Sequence, residues 1–411
     1  MGLVIQKFGG SSVASPEHIR SAAAVVAGCK AGGHTPLVVV SAMGGETDRL
    51  LGLARETAGS PSRRELDMLL SAGEQVSVAL FAMALREAGC DARSFLGSQV
   101  RILTDSVFSK AHIREVETSR LRAYLASGGI PVVAGFQGVD AEGEITTFGR
   151  GGSDTTAVAL AAALGADECQ ILTDVDGIYT TDPRIVPEAR RLSRITFEEI
   201  IELASQGSRV LQIRAVKFAG KYNVPVRVLH MSGRGDGTLI SFEEPGVEAP
   251  LVSGIAFSRD EAEITLVGVP DRPGAAAAIL GPISAARIQV DMIVMNAPRE
   301  GRVDFSFSVD RADYAQAMDL VRAAAAELGA ADVLGNDAVA KLSVVGVGMR
   351  THAGIASHMF EALAAGGINV RMVSTSEIKI SVLVADKDID AAVRSLHRAF
   401  ELDQPAGRRR H

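Results

Sequence analysis

Residues 264–269, ITLVGV, return at 342–347 as LSVVGV, and the likeness runs on for a whole supersecondary unit. After each run comes a glycine, Gly274 or Gly354, that opens an apolar helical stretch. The segment 288–292 (IQVDM) is answered by 368–372 (INVRM). Each copy then continues into an alternating strand, 303–309 (VDFSFSV) or 378–384 (IKISVLV), and a second helix. This is strand–helix–strand–strand–helix–strand in duplicate. Neither copy holds a nucleophile beside a base, so the pair reads as a binding module rather than a reaction centre.

The chain ahead of the repeat follows a different rhythm. Short apolar runs rich in β-branched residues stand at 3–6 (LVIQ), 36–41 (PLVVVS), 131–134 (PVVA), 169–172 (CQIL) and 224–229 (VPVRVL). Such runs suit strands buried on both faces. Helical stretches separate them, one ending near residue 31 and others at 65–88 and 154–164. Ser11, Ser12 and Ser15, with Pro16 behind them, are helix-start residues. Strands alternating with helices predict an α/β fold with an open, mainly parallel sheet. Turn residues at 235–238 and a linker over 243–250 end this part. With 411 residues, more than one core is expected. The divisions predicted are 1–245, 263–335 and 341–403.

Charge narrows the function. The formal net charge is −7, and no basic run appears before the three arginines at 408–410. Nucleic acid is therefore not an expected partner. A phosphate-bearing substrate would need positive charge supplied locally. The three cysteines, Cys29, Cys90 and Cys169, show neither disulfide nor zinc spacing and read as small buried hydrophobes in a reducing compartment. The N-terminus lacks a basic segment followed by an apolar one, and no spanning run is read, so the expectation is a cytoplasmic protein without a membrane partner.

Three segments carry chemistry. Lys7-Phe8-Gly9-Gly10-Ser11-Ser12 joins a strand to a helix start. Its glycines let backbone approach an anion, the helix end offers unpaired N–H groups, and Lys7 supplies charge. It is not a Walker sequence, and alone it reads equally as a turn beside a surface lysine. Gly149-Arg150-Gly151-Gly152-Ser153-Asp154 is a second anion cradle ahead of an Ala-rich helix. Arg150 can grip a carboxylate in bidentate fashion. Asp154 reads as a first-turn carboxylate or N-cap by itself, and as a functional group in that company. Segment 173–184, TDVDGIYTTDPR, follows a buried strand, where open α/β sheets bind ligands. Its acids, Tyr179 and Arg184 suit a nucleotide and its metal; a polar loop is the plainer reading. Ser41 and Thr47 flank another strand end, and Glu74 stands in an apolar helical stretch. A carboxylate there is either an exposed-face residue or a ligand for an ammonium group.

Together these segments resemble the aspartokinase family of the amino-acid kinase superfamily. KFGGSS at 7–12, VVVSAMG at 38–44, LLSAGE at 69–74, GFQG at 135–138, GRGGSDTTA at 149–157, TDVDGIYTTDPR at 173–184 and STSEIKIS at 374–381 stand in that family's order. The resemblance implies a three-layer αβα kinase domain followed by two ACT domains. It implies transfer of the ATP γ-phosphoryl group to the β-carboxylate of L-aspartate, with Mg2+. Lys7 and Asp154 are then catalytic. Ser41, Thr47, Glu74, Arg150, Gly151 and Ser153 are substrate-binding. Lys7, Phe8, Gly9, Gly10, Thr173, Asp174, Tyr179, Arg184 and Arg209 bind ATP. Asp271, Gly274, Ala276, Asp291, Asn296, Asn369 and Ser381 bind the effector, lysine and/or threonine, and no residue is implied as a direct metal ligand. The family also implies a homodimer through the ACT domains, or a heterotetramer with a separately started ACT-only subunit.

Three departures stand out. Arg209 replaces the family's usual lysine, exchanging a compact ammonium for a planar fork. Met295 occupies the place of a glutamine and cannot offer an amide's hydrogen bonds. Arg371 stands where Gln or Glu is common, and facing an effector pocket it would repel a lysine ammonium. The last two exchanges predict weakened or altered feedback. The competing readings are a kinase for a related acidic amino acid and a catalytically silent amino-acid sensor.

Overall fold

A computed structural model describes residues 2–205, 211–242, 251–352 and 354–404. The chain divides into two compact units. The first holds Met1–Ile178, Arg191–Ala204 and Arg209–Gly246; the second holds Tyr179–Arg190, Ser205–Ser208 and Val247–His411.

The first unit is built on an eight-stranded sheet. Its strands run in the order Arg194–Thr196, Thr238–Ser241, Val226–His230, Glu168–Thr173, Leu3–Phe8, Thr35–Val40, Ile130–Ala134 and Ala92–Phe95. Every neighbouring pair is parallel except Thr238–Ser241 against Val226–His230. Leu37, Val38, Val39 and Val40 are all fully buried, which is why that strand is an unbroken apolar run. Side chains alternate between the two faces. Phe8, Val38, Val40 and Leu172 pack with Ile19, Val26, Phe81 and Leu85 of helices Pro16–Ala31 and Arg63–Glu87. Ile171, one residue from Leu172, instead meets Val158 and Ala215 of helices Gly152–Leu164 and Ile213–Lys221. Helices therefore cover both faces, giving three layers.

Helix Arg63–Glu87 is long and apolar enough to cross a membrane by composition. Its buried residues include Asp67 and Glu74, and it packs on helix Pro16–Ala31 and on strands of the sheet, so it is the core helix of this unit. A four-stranded sheet in the order Ile113–Val116, Ile102–Thr104, Gln137–Val139 and Ile145–Thr147 completes the unit.

The second unit is one six-stranded antiparallel sheet: Val290–Met295, Arg302–Asp310, Gly254–Pro270, Asp332–Val345, Lys379–Ala385 and Met372–Thr375. Its two central strands each serve both repeats. The C-terminal half of Gly254–Pro270 pairs with Arg302–Asp310, and Ile264 and Leu266 join Phe305, Phe307 and Val321 in the first repeat's core. The N-terminal half pairs with 341–345, and Ile255 joins Leu342, Met359 and Leu396 in the second core. The second repeat thus takes its closing strand from residues ahead of the first.

Segment Tyr179–Arg190 also belongs to this unit. Val186 sits in the second repeat's core. Thr180 is fully buried: its hydroxyl lies 3.0 Å from His397 Nε2, and its carbonyl accepts the Ile255 N–H at 2.7 Å.

Candidate functional site

The loops that leave strands Leu3–Phe8, Thr35–Val40, Ile130–Ala134 and Glu168–Thr173 emerge on one edge of the sheet, because these strands are parallel neighbours. Lys7 is the penultimate residue of its strand. Alternation turns Phe8 into the core against Phe81, 5.2 Å between ring centroids, and turns Lys7 to the opposite face. Helix Gly152–Leu164 lies on that face. Gly151, with φ +69°, is its N-cap, and Asp154 falls in its first turn rather than at the cap. Lys7 Nζ stands 2.6 Å from Asp154 Oδ1, and each side chain is only 11% exposed. Low local dielectric makes such a pair strong, and leaves either member costly alone.

Glycines hold the loops together. A side chain at Gly10 would press on the Ala42 carbonyl, 3.1 Å away, so the segments at 7–12 and 41–44 abut backbone to backbone. A Cβ at Gly135 would lie 2.7 Å from Ser153 Cβ, 2.8 Å from Ser153 Oγ and 2.9 Å from the Val40 carbonyl. Gly135 therefore brings the end of one strand, the neighbouring loop and Ser153 into contact. Gly9 borders Lys7 itself: a Cβ there would stand 3.6 Å from its Nζ.

Glu74 is buried on the inner face of its helix, which Gly73 brings close to Ala42. Its Oε1 accepts the Ala42 N–H at 2.9 Å. Its Oε2 is buried and has no partner among the described residues. Desolvation pushes its carboxyl up to about 7, the Ala42 hydrogen bond opposing. A carboxylate in that state gains most from an incoming cation, because the cation removes the penalty that burial imposes. Ser77 Oγ donates to the Ser41 carbonyl at 2.7 Å, fixing the start of the same loop. Ser41 and Thr47 are half-buried, Thr47 in the first turn of helix Glu46–Thr57.

Arg150 is exposed, and its guanidinium makes no ion pair among the described residues. Its backbone is fixed where its side chain is not: Gln212 Nε2 donates to the Arg150 carbonyl at 2.8 Å. Gln212 also fills the space where a Cβ at Gly151 would fall, 2.4 Å from its own Cβ. Arg214 Nη1 donates to the Phe148 carbonyl at 3.1 Å, and its Nη2 to the Ala111 carbonyl at 2.6 Å. Sequence reasoning missed Gln212 and Arg214. They hold the 148–151 loop from a helix distant in the chain, and no local pattern marks them.

Thr173 Oγ1 donates to Asp174 Oδ1 at 3.0 Å on the same sheet edge as Lys7. Tyr179 and Arg184 fall in the segment that clusters with the second unit, where Arg184 pairs with Asp182 at 2.6 Å. Arg209 lies outside the described residues. No group of three or more His, Cys, Asp or Glu side chains is placed to cage a metal ion among the described residues.

In the second unit, Asp271 and Ala276 are exposed, and Gly274, with φ +91°, caps helix Ala275–Ala285. Asp291 takes the ammonium of Lys341, which also reaches Glu261 Oε1 at 2.7 Å. Asn296 and Asn369 are exposed, whereas Ser381 is buried, its Oγ 2.7 Å from Ser343 Oγ. Met295 is exposed. Arg371 is not a free cation: its Nε donates to Glu263 Oε2 at 2.6 Å.

The amino acid kinase family profile matches residues 2–230, and ACT domain profiles match 264–326 and 342–400. An aspartokinase of Pseudomonas aeruginosa is 59% identical over 408 residues, covering 99% of each chain. The crystal structure of Escherichia coli aspartokinase III with aspartate and ADP superposes with a TM-score of 0.76 at 29% identity, covering 97% of this chain and 100% of that one. The same enzyme with lysine and aspartate gives 0.78 at 29% identity, covering 96% and 99%.

Proposed function

The chain belongs to the aspartokinases of the amino acid kinase family, and from that premise we propose how its residues divide the work. The reaction moves the γ-phosphoryl group of ATP to the side-chain carboxylate of aspartate. A β-carboxylate oxygen attacks the γ-phosphorus, the bond to the β,γ-bridging oxygen breaks, and ADP leaves with that electron pair. No proton transfer is required, since the acceptor is already an anion. Catalysis then reduces to positioning and to stabilising charge.

Lys7 meets the charge on the transferring group. Asp154 aims its ammonium, and the glycines at 9 and 10 admit the phosphates to backbone N–H groups. Glu74 receives the α-ammonium of aspartate and Arg150 its α-carboxylate. Ser41, Thr47, Gly151 and Ser153 complete the pocket wall. The observation that carries this reading is the buried Oε2 of Glu74, which has no partner among the described residues. Thr173 and Asp174 take the nucleotide in the kinase unit; Tyr179, Arg184 and Arg209 are carried over to the nucleotide by resemblance.

A magnesium ion would be held chiefly by the phosphates and water, as is usual for that ion. When bound with ATP, magnesium would supply positive charge that offsets the negative charge of the phosphates.

The paired repeats sense end-product amino acids, lysine and/or threonine, through Asp271, Gly274, Ala276, Asp291, Asn296, Asn369 and Ser381. The likeness to an enzyme crystallised with lysine supports the lysine half of this. Two chains pair through these units, or join a separate ACT-only subunit, and the three free cysteines accord with a reducing cytoplasm.

A coupled assay of ADP release with aspartate, with glutamate and with neither tests the substrate. Aspartate alone should support turnover, and Lys7→Ala should lower it by about 10²–10³. Release with glutamate but not aspartate would overturn the reading. Titrating lysine and threonine singly and together identifies the effector; insensitivity to all three additions would sink the sensor assignment.

A further inference from the structure

Asp67 is fully buried on helix Arg63–Glu87, about two turns before Glu74 and on the same side. Every lone pair of its carboxylate is used. Oδ2 accepts the backbone N–H of Ser109 at 2.8 Å and that of Thr147 at 2.7 Å. Oδ1 accepts the hydroxyls of the same two residues, Ser109 at 3.0 Å and Thr147 at 2.8 Å. A carboxylate with four donors, and no cation among the described residues, is stable in a core only because the donors replace its hydration.

The two residues it grips frame the Arg150 loop. Thr147 ends strand Ile145–Thr147, directly ahead of Phe148-Gly149-Arg150, and its carbonyl accepts the Ala111 N–H at 2.9 Å. Ser109 holds a left-handed backbone at φ +69°, an unfavourable state for a residue with a Cβ. Its carbonyl lies 3.0 Å from where a Cβ at Gly149 would stand, so segment 109–111 presses on that loop. One rigid helix therefore carries both Glu74 and the clamp that sets the loop of Arg150.

We propose that Asp67 is a positioning residue for the acceptor amino acid. It fixes the separation between Glu74, which takes the ammonium, and Arg150, which takes the α-carboxylate. This rests on the reading of those two residues given above. Aspartate binding depends on that separation; ATP binding, at the strand ends of Lys7 and Thr173, does not.

Asp67→Asn keeps the volume but turns an NH2 group toward two donors. The Michaelis constant for aspartate should rise about tenfold or more, since displacements near 1 Å cost up to ~100-fold. The constant for ATP should stay within about twofold, a split that a general loss of packing would not produce. Ser109→Ala and Thr147→Val each remove one donor while keeping the carboxylate, and each should raise the aspartate constant by a few-fold. Should Asp67→Asn not fold, these two variants decide the matter. Unchanged aspartate constants in both, or equal rises for aspartate and ATP in any of the three, would overturn the proposal. Arg150→Met is measured alongside. If it leaves the aspartate constant unchanged, the reading of Arg150 has failed, and so has the role given to Asp67. If it raises the constant while the Asp67, Ser109 and Thr147 variants do not, the role of Asp67 alone has failed.

Discussion

Lys7 Nζ lies 2.6 Å from Asp154 Oδ1 at the point where strand Leu3–Phe8 meets the first turn of helix Gly152–Leu164. The pair is nearly sealed from water, so each charge is tolerated only because of the other. Lys7→Ala should lower turnover by about 10²–10³, the size found when one charge-stabilising donor is removed from an active site. It should also destabilise the unit, by about 3–5 kcal/mol, because Asp154 stays buried alone. Stopped assays of ADP release and urea melts check the two effects. In the double variant with Asp154→Ala the stability losses should fall short of their sum.

Glu74 should impose a pH dependence of opposite sign on stability and on activity. Burial raises its carboxyl from an ordinary 4.5 to about 7. The folded form therefore binds more protons than the unfolded chain between those values, and stability falls as pH rises through that window. At about 1.4 kcal/mol per unit, the loss is roughly 3 kcal/mol by pH 8 in the free enzyme. Binding an ammonium requires the charged form, so kcat/KM for aspartate should climb toward pH 7 and level off above it. Glu74→Gln should remove both trends, leaving thermal melts flatter with pH and the aspartate constant greatly raised. A wild-type profile without a limb near 7 would count against this.

Gly135 should tolerate no side chain. The methyl of alanine would fall on Ser153 and on the Val40 carbonyl, neither of which can yield without moving a strand or a helix start. Gly135→Ala is expected to cost about 1–3 kcal/mol of stability through overpacking. The displaced Ser153 should also weaken aspartate more than ATP. Calorimetry together with the two Michaelis constants tests it.

Arg371 should not obstruct a lysine effector, because Glu263 holds its guanidinium. Glu263→Gln removes that hold. Half-maximal inhibition by lysine should then need more lysine than in the wild type, while inhibition by threonine changes less. The pair is partly exposed, and its coupling in a double-mutant cycle with Arg371→Gln should be no more than about 1 kcal/mol. Inhibition curves that coincide for wild type and Glu263→Gln would refute the link.

Much of the kinase unit was legible because its information is local. The run at 36–41 is apolar at each buried position and is a central strand, and Ser15-Pro16 begins the helix they predict. Lys7 and Asp154 were named as candidates from glycines beside each, but their contact spans most of the unit and depends on sheet order. Asp67 drew no notice, since one acid in an amphipathic helix usually faces water. Only its burial reveals it.

The sequence by itself determined the alternation of buried strands and helices at its most apolar runs, that the last third is a repeat, and which side chains carry charge into glycine-rich loops. Those are consequences of periodicity, turn chemistry and residue type, which act over a few residues. Tertiary structure decided the rest. It set the exchange by which residues 254–258 close the second repeat, placed Tyr179–Arg190 with that unit, tied Arg371 to Glu263, and raised the Glu74 carboxyl to about 7. Each of these depends on the pairing or desolvation of groups far apart in the chain, and only the folded arrangement brings those groups together.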